Sequence, residues 1–272
     1  MKLSRLVEQI KEKQTFLCVG LDSDVDRLPE GLSRDLDGLV EFNRAIIEAT
    51  RNSCVAYKIN TAFYERYGSS GWKALERTRA ILPDTHFLIA DAKRGDIGNT
   101  SNYYAACFFD HLDFDALTVA PYMGRDSIEP FLGYGDKHAI LLGITSNPGS
   151  ADFQKTRAAD GEMMFEKVLQ KAIHWGSPEN LMFVCGATQG AHLSRARKIA
   201  PTHFFLVPGV GYQGGDLRTV CKHALNNNIG LLVNSSRGII YASSAKDFQR
   251  ASAEKAREVS LEMKKIIQNA PF

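Results

Sequence analysis

One stretch decides the fold of this chain: Leu88-Ile89-Ala90-Asp91-Ala92-Lys93-Arg94-Gly95-Asp96-Ile97. Its apolar residues predict a buried strand, and its charged residues come at the end of that strand, where Gly95 lets the backbone turn. Side chains alternate between the two faces of a strand, so Asp91 and Lys93 are expected to point the same way, with Asp96 on the same wall. Buried charges are costly unless they are paired or used in chemistry. The stretch therefore predicts a functional site, with a structural ion pair at a strand end as the alternative.

The rest of the chain repeats this alternation of short apolar runs with amphipathic segments of helical length. The predicted strands are 16–21, 55–59, 86–91, 116–120, 139–144, 181–185, 203–207 and 230–234. The predicted helices are 37–51, 70–81, 99–110, 125–134, 162–175, 190–199, 216–227 and 245–268. This pattern predicts a (β/α)8 TIM barrel, formed as a single domain by residues 1–272. A doubly wound sheet is the alternative, but it would use fewer strands, and Leu21-Asp22-Ser23-Asp24 lacks the glycines of a dinucleotide-binding turn.

Charged and polar residues lie at the ends of most predicted strands. A barrel brings the carboxyl ends of its strands together at one end, where active sites of this fold are built. The residues in question are Asp22, Lys58, Asn60, Asp91, Lys93, Asp96, Ser146, Ser236 and Arg237. The sequence therefore predicts an active site at the carboxyl end of the barrel.

The loops after the last two predicted strands have the composition of a phosphate site. Four of the seven residues from Gly209 to Gly215 are glycine, so backbone N–H groups are exposed and a ligand can approach closely. Arg237 adds a guanidinium suited to bidentate contact with a phosphate. Tight turns alone would explain the glycines, but Arg237 and the position of both loops favour phosphate binding.

Charge and cysteine content narrow the class of protein. The 33 Lys and Arg residues nearly balance 31 Asp and Glu residues, for a net charge of +2, so no surface for nucleic acid or an anionic membrane is predicted. No apolar run reaches the roughly 20 residues of a membrane span, and residues 1–14 lack the apolar block of a signal peptide. The five cysteines form no metal-binding or disulfide pattern, which predicts a reduced, cytoplasmic protein.

Two other features receive no catalytic role. His86, His138 and His203 each lie at the start of a predicted strand, which is the end of a barrel that serves stability. Residues 150–161 are polar and without period, which predicts a loop over the carboxyl end of the barrel, either a lid or an insertion.

Four features taken together resemble the orotidine 5′-phosphate decarboxylase family. The family's D-x-K-x-x-D signature matches the segment from Asp91 to Asp96. The other features are Lys58, the stretch Pro208-Gly209-Val210-Gly211 followed by Gln213-Gly214-Gly215, and Arg237. Related barrels share D-x-K-x-x-D alone, whereas all four features in this order are specific. The sequence around Lys58 and the length of the chain look like the longer bacterial branch of the family.

The resemblance implies decarboxylation of orotidine 5′-monophosphate to uridine 5′-monophosphate and carbon dioxide, the last step of de novo pyrimidine synthesis. It implies no metal and no organic cofactor. Lys93 would be the general acid that gives a proton to pyrimidine C6, and Asp91 would lie beside the substrate carboxylate. Lys58 would bind the ribose and pair with Asp91, and Asp96 would complete the Lys-Asp-Lys-Asp array.

The same resemblance implies the remaining contacts to the substrate. Asp22 would bind a ribose hydroxyl and Ser146 the pyrimidine. Gln213, the backbone N–H of Ser236 and Arg237 would bind the phosphate. In the family, the residues corresponding to Asp96 and Thr100 reach the neighbouring subunit's site, so a homodimer with shared active sites is implied.

Two other functions stay open at this point. A sugar-phosphate decarboxylase of the same superfamily, such as a 3-keto-L-gulonate 6-phosphate decarboxylase, shares D-x-K-x-x-D but uses magnesium, and Lys58 argues against it because a carboxylate stands there in those enzymes. A barrel that binds a phosphate compound without catalysis is the other possibility, although no member of the array is missing.

Overall fold

The computed structural model describes residues 1–186, 190–209 and 216–269. Eight parallel strands form a closed barrel in the order β1-β2-β3-β4-β5-β6-β7-β8, so the predicted TIM barrel is confirmed. The strands are β1 Leu17–Gly20, β2 Ala56–Asn60, β3 Phe87–Arg94, β4 Ala116–Val119, β5 His138–Ile144, β6 Leu181–Cys185, β7 Phe205–Pro208 and β8 Leu231–Ser235. Each predicted strand overlaps an observed one, because buried apolar runs of this length are typical of parallel strands.

The contacts define two compact units. Among the described residues, one contains Met1–Leu3 and Lys93–Val233, and the other contains Ser4–Ala92 and residues 234–269. Strands β4 to β7 belong to the first unit, and β1, β2 and most of β3 belong to the second, whereas β8 is divided between the two after Val233. The single domain over residues 1–272 stays a prediction.

Helices follow the strands. They are α1 Leu3–Lys13, α2 Leu36–Thr50, α3 Ala62–Glu65, α4 Gly68–Ile81, α5 Asn99–Ala106, α6 Glu129–Leu132, α7 Met164–Ala172, α8 Gly190–Ile199, α9 Leu217–Ala224, α10 Arg237–Ile240 and α11 Phe248–Asn269. Within the described ranges, no helix has the length and apolar character needed to cross a membrane.

The sequence analysis does not predict helix α1. Leu3, Leu6 and Ile10 on this helix are buried, and their spacing of three and four residues is the apolar stripe of an amphipathic helix. The helix is therefore visible in the sequence once residues 1–14 are tested for helical period rather than only for a signal peptide.

Two predicted helices differ in form from the observed ones. The segment 125–134 is a 3-10 turn, Arg125–Ser127, followed by the short α6, in which Pro130 occupies the first turn. Proline is tolerated there but cannot stand inside a longer helix, because it has no N–H and clashes with the preceding turn. The segment 99–110 is α-helical only to Ala106 and continues as a wider π-helical turn, Cys107–His111.

The histidines at the strand starts are structural. Burial lowers the pKa of both His86 and His203 to about 4, and it also lowers the pKa of His138. These imidazoles are therefore neutral at pH 7. Four of the five free cysteines are buried and Cys107 is half-buried, as expected of small core residues.

A half-buried arginine on α8 joins several chain segments of its unit. The Arg197 guanidinium donates to the carbonyl of Ala224 at 2.8 Å, of His203 at 2.6 Å and of Gly230 at 3.0 Å. It also lies 3.8 Å from the centre of the Phe205 ring. Burial lowers the pKa of Arg197 to about 10, so the group is still charged at neutral pH. One side chain thus satisfies carbonyls from the end of α9 and from the segments that lead into β7 and β8.

We expect Arg197→Met to lower the free energy of unfolding by about 3 kcal/mol, because several buried carbonyls lose a charged donor. Denaturant titration followed by circular dichroism measures this change.

The neighbouring Lys198 is exposed, so Lys198→Met serves as the control and should change stability by less than about 0.5 kcal/mol. Equal unfolding midpoints for the two variants would show that the carbonyl contacts of Arg197 contribute little.

Candidate active site

A lysine lies between two carboxylates at the ends of the first three strands. The Lys58 Nζ atom is 2.8 Å from Asp91 Oδ2 and 3.5 Å from Asp22 Oδ1. The Lys58 side chain is only 5% exposed, against 12% for Asp91 and 21% for Asp22. A buried ammonium is stable in such a place only with anionic partners, and this cluster supplies two.

The strand register explains why these three residues meet. Strands β2 and β3 pair in parallel, with Lys58 opposite Ile89 and Asn60 opposite Asp91. On the other side of β2, Gly20 pairs with Lys58, and Asp22 follows two residues later. The lysine of the central strand therefore points between the carboxylates that follow from its two neighbours. The sequence analysis predicts the pairing of Lys58 with Asp91, which the structure contains.

The charges of the cluster determine its chemistry. Burial lowers the pKa of Lys58, but the attraction of Asp22 and Asp91 outweighs burial, and the pKa lies above its ordinary value. Lys58 is therefore an ammonium at neutral pH and cannot act as a base. With both carboxylates ionised, the cluster carries one net negative charge, and its ammonium lies between the two carboxylates. Among the described residues, no group of three or more His, Cys, Asp or Glu side chains is arranged to bind a metal ion.

Lys93 has an unusual backbone. Its φ angle is 49°, in the left-handed region that residues other than glycine rarely adopt. The alternation of side chains that holds for an extended strand therefore ends at Ala92, and the argument that Asp91 and Lys93 point the same way does not apply. Backbone strain of this kind concentrates at functional sites, where the surrounding structure maintains it.

A threonine on β4 holds the backbone of Lys93. The Lys93 N–H donates to Thr118 Oγ1 at 2.9 Å, and Thr118 is 1% exposed. One residue later, the ladder between the strands resumes, since the Ala120 N–H donates to the Arg94 carbonyl at 2.9 Å. Thr118 thus accepts the hydrogen bond of an amide that the turned backbone removes from the regular ladder.

Gly95 and Asp96 complete the end of β3. A Cβ atom at Gly95 would lie 3.0 Å from the Ala120 carbonyl oxygen, so a larger residue would push the turn away from β4. The Asp96 N–H donates to Ser101 Oγ at 3.0 Å, which fixes the loop onto α5. Thr100 is exposed in the first turn of that helix.

Two of the three predicted phosphate residues, Ser236 and Arg237, lie at the start of α10. The third, Gln213, lies outside the described residues. Ser236 precedes the helix and Arg237 is its first residue, both half-buried. Gly20 on β1 makes room for Ser236 and Asn234, because a Cβ there would lie 2.8 Å from Ser236 Cβ and 3.0 Å from Asn234 Oδ1. Ser146 follows β5 by two residues and is half-buried.

The sequence analysis missed two residues that contact predicted site residues. Thr118 is a lone hydroxyl in the apolar run of β4, which is a visible signal because a buried hydroxyl needs a partner. Gly20 ends β1 among fully buried residues, and nothing in its neighbourhood along the chain reveals the contact with Ser236.

Comparison with known proteins places these residues in a family. The sequence profile of the orotidine 5′-phosphate decarboxylase / HUMPS family matches residues 15–251. The chain belongs to this family. It is 54% identical over 266 residues to the orotidine 5′-phosphate decarboxylase of Parabacteroides distasonis, a match that covers 97% of this chain and 95% of that relative. The corresponding protein of Phocaeicola vulgatus is 52% identical over 270 residues, or 98% of this chain and 99% of that relative.

A solved structure agrees with this membership of the decarboxylase family. The Leishmania donovani OMP decarboxylase superposes with a TM-score of 0.85 at 37% sequence identity, over 99% of this chain and 100% of that chain. The resemblance that the sequence motifs predict is therefore confirmed.

Thr118 offers a direct test of the Lys93 geometry. Thr118→Val keeps the shape of the side chain but removes the acceptor, so we expect kcat for the family's decarboxylation to fall by about tenfold or more, with KM nearly unchanged. Steady-state kinetics measure both constants.

Thr118→Ser is the matched control, since it keeps the hydroxyl and should retain kcat within about threefold. If the valine and serine variants lose activity equally, packing rather than the hydrogen bond to Lys93 is the cause.

Proposed function

We propose that this chain decarboxylates orotidine 5′-monophosphate to uridine 5′-monophosphate and carbon dioxide, as the last step of de novo pyrimidine synthesis. The observation that carries the proposal is the Lys58 ammonium between Asp22 and Asp91, in a chain more than half identical to relatives that bear the name of this activity. Asp91 and Lys93 of the D-x-K-x-x-D motif lie on β3, and Asp96 follows two residues after its end.

In the proposed reaction, Lys93 is the general acid. The bond between pyrimidine C6 and the carboxylate carbon breaks, carbon dioxide leaves, and the electron pair stays on C6. The Lys93 ammonium gives a proton to C6, and the neutral amine then regains a proton from water. Lys93 is two residues from Asp91 on the chain, at most about 7 Å apart, so both can reach neighbouring atoms of one substrate.

Asp91 and Lys58 provide the electrostatic part of the mechanism. Asp91 lies beside the substrate carboxylate and repels it, and this repulsion disappears as carbon dioxide leaves. Lys58 pairs with Asp91 and hydrogen-bonds the ribose, and Asp22 takes another ribose hydroxyl. The contact of 2.8 Å between Lys58 and Asp91 supports this assignment, because it orients the Asp91 carboxylate before the substrate binds.

The rest of the nucleotide is bound by loop residues. Arg237, the Ser236 N–H and Gln213 bind the phosphate, and Ser146 binds the pyrimidine. Phosphate binding far from the reacting bond contributes free energy that closes the loops and stabilises the transition state. The position of Ser236 and Arg237 at the start of a helix supports this role.

We propose that the reaction uses neither a metal nor an organic cofactor. The support is the donor set, because a lysine ammonium already pairs with both carboxylates that would otherwise attract a divalent cation. A magnesium-dependent sugar-phosphate lyase would need the space between the two carboxylates for its metal.

We propose that the protein is a homodimer in which Asp96 and Thr100 of each subunit contribute to the neighbouring site. Large apolar side chains near these residues support an interface: Ile97 is 61%, Tyr103 70% and Tyr122 92% exposed. Exposed apolar side chains in such numbers are typical of surfaces that bind another protein.

We also place the enzyme in the cytoplasm. The five cysteines are free and mostly buried, as expected in a reducing compartment. Immunodetection after cell fractionation would test this placement.

The first experiment follows the ultraviolet change of orotidine 5′-monophosphate with excess chelator. We expect turnover by the natural protein and a loss of about a thousandfold or more in Lys93→Ala, because the proton donor is removed. The variant should still bind uridine 5′-monophosphate.

Lys246→Ala is the control, since Lys246 is exposed and outside the site. Turnover only after magnesium is restored would favour the sugar-phosphate lyase, and no turnover under any condition would favour a barrel that binds phosphate compounds without catalysis.

Shared sites can be tested by mixing inactive subunits. Co-expressed Lys93→Ala and Asp96→Ala chains should recover about a quarter of the natural activity, because each hybrid dimer then contains one intact site. Activity per purified dimer measures this recovery.

The control pair is Lys93→Ala with Asp91→Ala, which disables both sites of every hybrid when the two residues serve the same subunit. No recovery in the first mixture would show that Asp96 acts within its own subunit.

A further inference from the structure

The segment after β5 is an ordered hairpin that packs on itself. It begins with a 3-10 turn, Pro148–Ala151, and Arg157 and Met163 then form an antiparallel bridge around Gly161, whose φ is 83°. The Met164 N–H closes the hairpin by donating to the Thr156 carbonyl at 2.9 Å. The loop that the sequence predicts at 150–161 therefore has its own structure.

The side chain of Gln154 connects this hairpin to the end of β5. The Thr145 N–H donates to Gln154 Oε1 at 2.7 Å, and Gln154 Nε2 donates to Thr145 Oγ1 at 2.9 Å. The Thr145 hydroxyl in turn donates to Asn147 Oδ1 at 2.6 Å. The carboxamide thus binds both the backbone and the side chain of the residue immediately before Ser146.

The backbone of Gln154 is itself fixed to α7. Its carbonyl accepts from the Phe165 N–H at 3.0 Å, and Phe165 is 1% exposed in the first turn of that helix. Gln154 is therefore held by both its backbone and its side chain. The backbone is bonded to α7 and the side chain to Thr145, so the position of α7 determines where Thr145 lies.

Strand β6 holds Ser146 from the other side. The Gly186 N–H donates to the Ile144 carbonyl at 2.7 Å. A Cβ at Gly186 would lie 2.8 Å from the Ser146 nitrogen and 3.0 Å from its Cα. The backbone at 145–146 therefore lies between the Gln154 carboxamide and the bare backbone of Gly186, with little room to shift.

We propose that Gln154 is a positioning residue for base recognition: its carboxamide fixes Thr145 and thereby sets where Ser146 meets the pyrimidine. The inference rests on the proposed function, because it takes Ser146 as the residue that binds the base. It assigns the hairpin a role in choosing the base, separate from the phosphate residues at the start of α10. Two hydrogen bonds to one residue restrain both its position and its orientation, which a single contact cannot do.

The test compares two ligands that differ only by the base. Inhibition constants are measured for uridine 5′-monophosphate and for ribose 5-phosphate, which has the sugar and phosphate without the pyrimidine. In Gln154→Ala we expect weaker inhibition by uridine 5′-monophosphate by about tenfold and a higher KM for substrate. Inhibition by ribose 5-phosphate should change by less than about twofold.

Two variants make the comparison specific. Gln154→Glu keeps the acceptor for the Thr145 N–H and for the Thr145 hydroxyl, which lies 3.2 Å from Gln154 Oε1, and should recover most of the affinity for the base. Gln170→Ala removes another glutamine contact of the hairpin, from Gln170 Nε2 to Glu162 Oε1 at 2.9 Å, and should leave both inhibition constants unchanged.

Equal weakening of both ligands in Gln154→Ala, or no change in either, would overturn the inference. Should Gln154→Ala fail to fold, Thr145→Val takes its place and Gln154→Glu remains the control. Thr145→Val should again weaken only the ligand with a base. Calorimetric binding of the two ligands needs no turnover. If the natural protein does not decarboxylate the substrate, but Gln154→Ala weakens only the ligand with a base, the proposed function is disproved and the role of Gln154 is supported.

Discussion

The buried contact between the Lys58 ammonium and the carboxylates of Asp22 and Asp91 is the constraint on which the site depends. An ion taken out of water costs several kcal/mol, and only close opposite charge with good geometry recovers that cost. Three neighbouring strands must therefore keep their register, since a shift of one residue in β2 would move the ammonium to the opposite face. The barrel supplies this rigidity through its continuous backbone ladder, and the charged cluster would be unstable without it.

Small residues and hydroxyls position the groups that would contact the substrate. Gly20 lets Ser236 and Asn234 approach β1, Gly186 lets Ser146 approach β6, and Thr118 accepts from the turned backbone of Lys93. None of these three has a role in bond breaking. An enzyme that works by electrostatics depends on such residues, because the stabilisation falls when a charge is displaced by about 1 Å.

The sequence predicts the barrel and most of the cluster for a physical reason: both depend on patterns within short segments. Apolar runs of strand length and charges at their ends are local features, and Lys58 with Asp91 follows from parallel strands that end on one side. Three features could not be predicted in this way. They are the left-handed backbone of Lys93, the contact of Gly20 with Ser236 and the link from Gln154 to Thr145. Each arises between residues that chain order does not pair, or from a conformation that the residue type disfavours. Pro130 is different, since its effect on helix 125–134 is local and the sequence analysis overlooked it.

The positive φ of Lys93 has a consequence for anyone who wishes to transplant this chemistry. Introducing the D-x-K-x-x-D residues into a regular strand of another barrel would give a lysine in extended conformation. Its side chain would then point to whichever face the pleat of that strand dictates. The recipient would also need a hydroxyl on the adjacent strand and a glycine two residues further on, so that the chain can bend at the lysine. The motif can thus be transferred only as a three-dimensional unit that spans two strands. A sequence match to D-x-K-x-x-D alone does not establish this geometry.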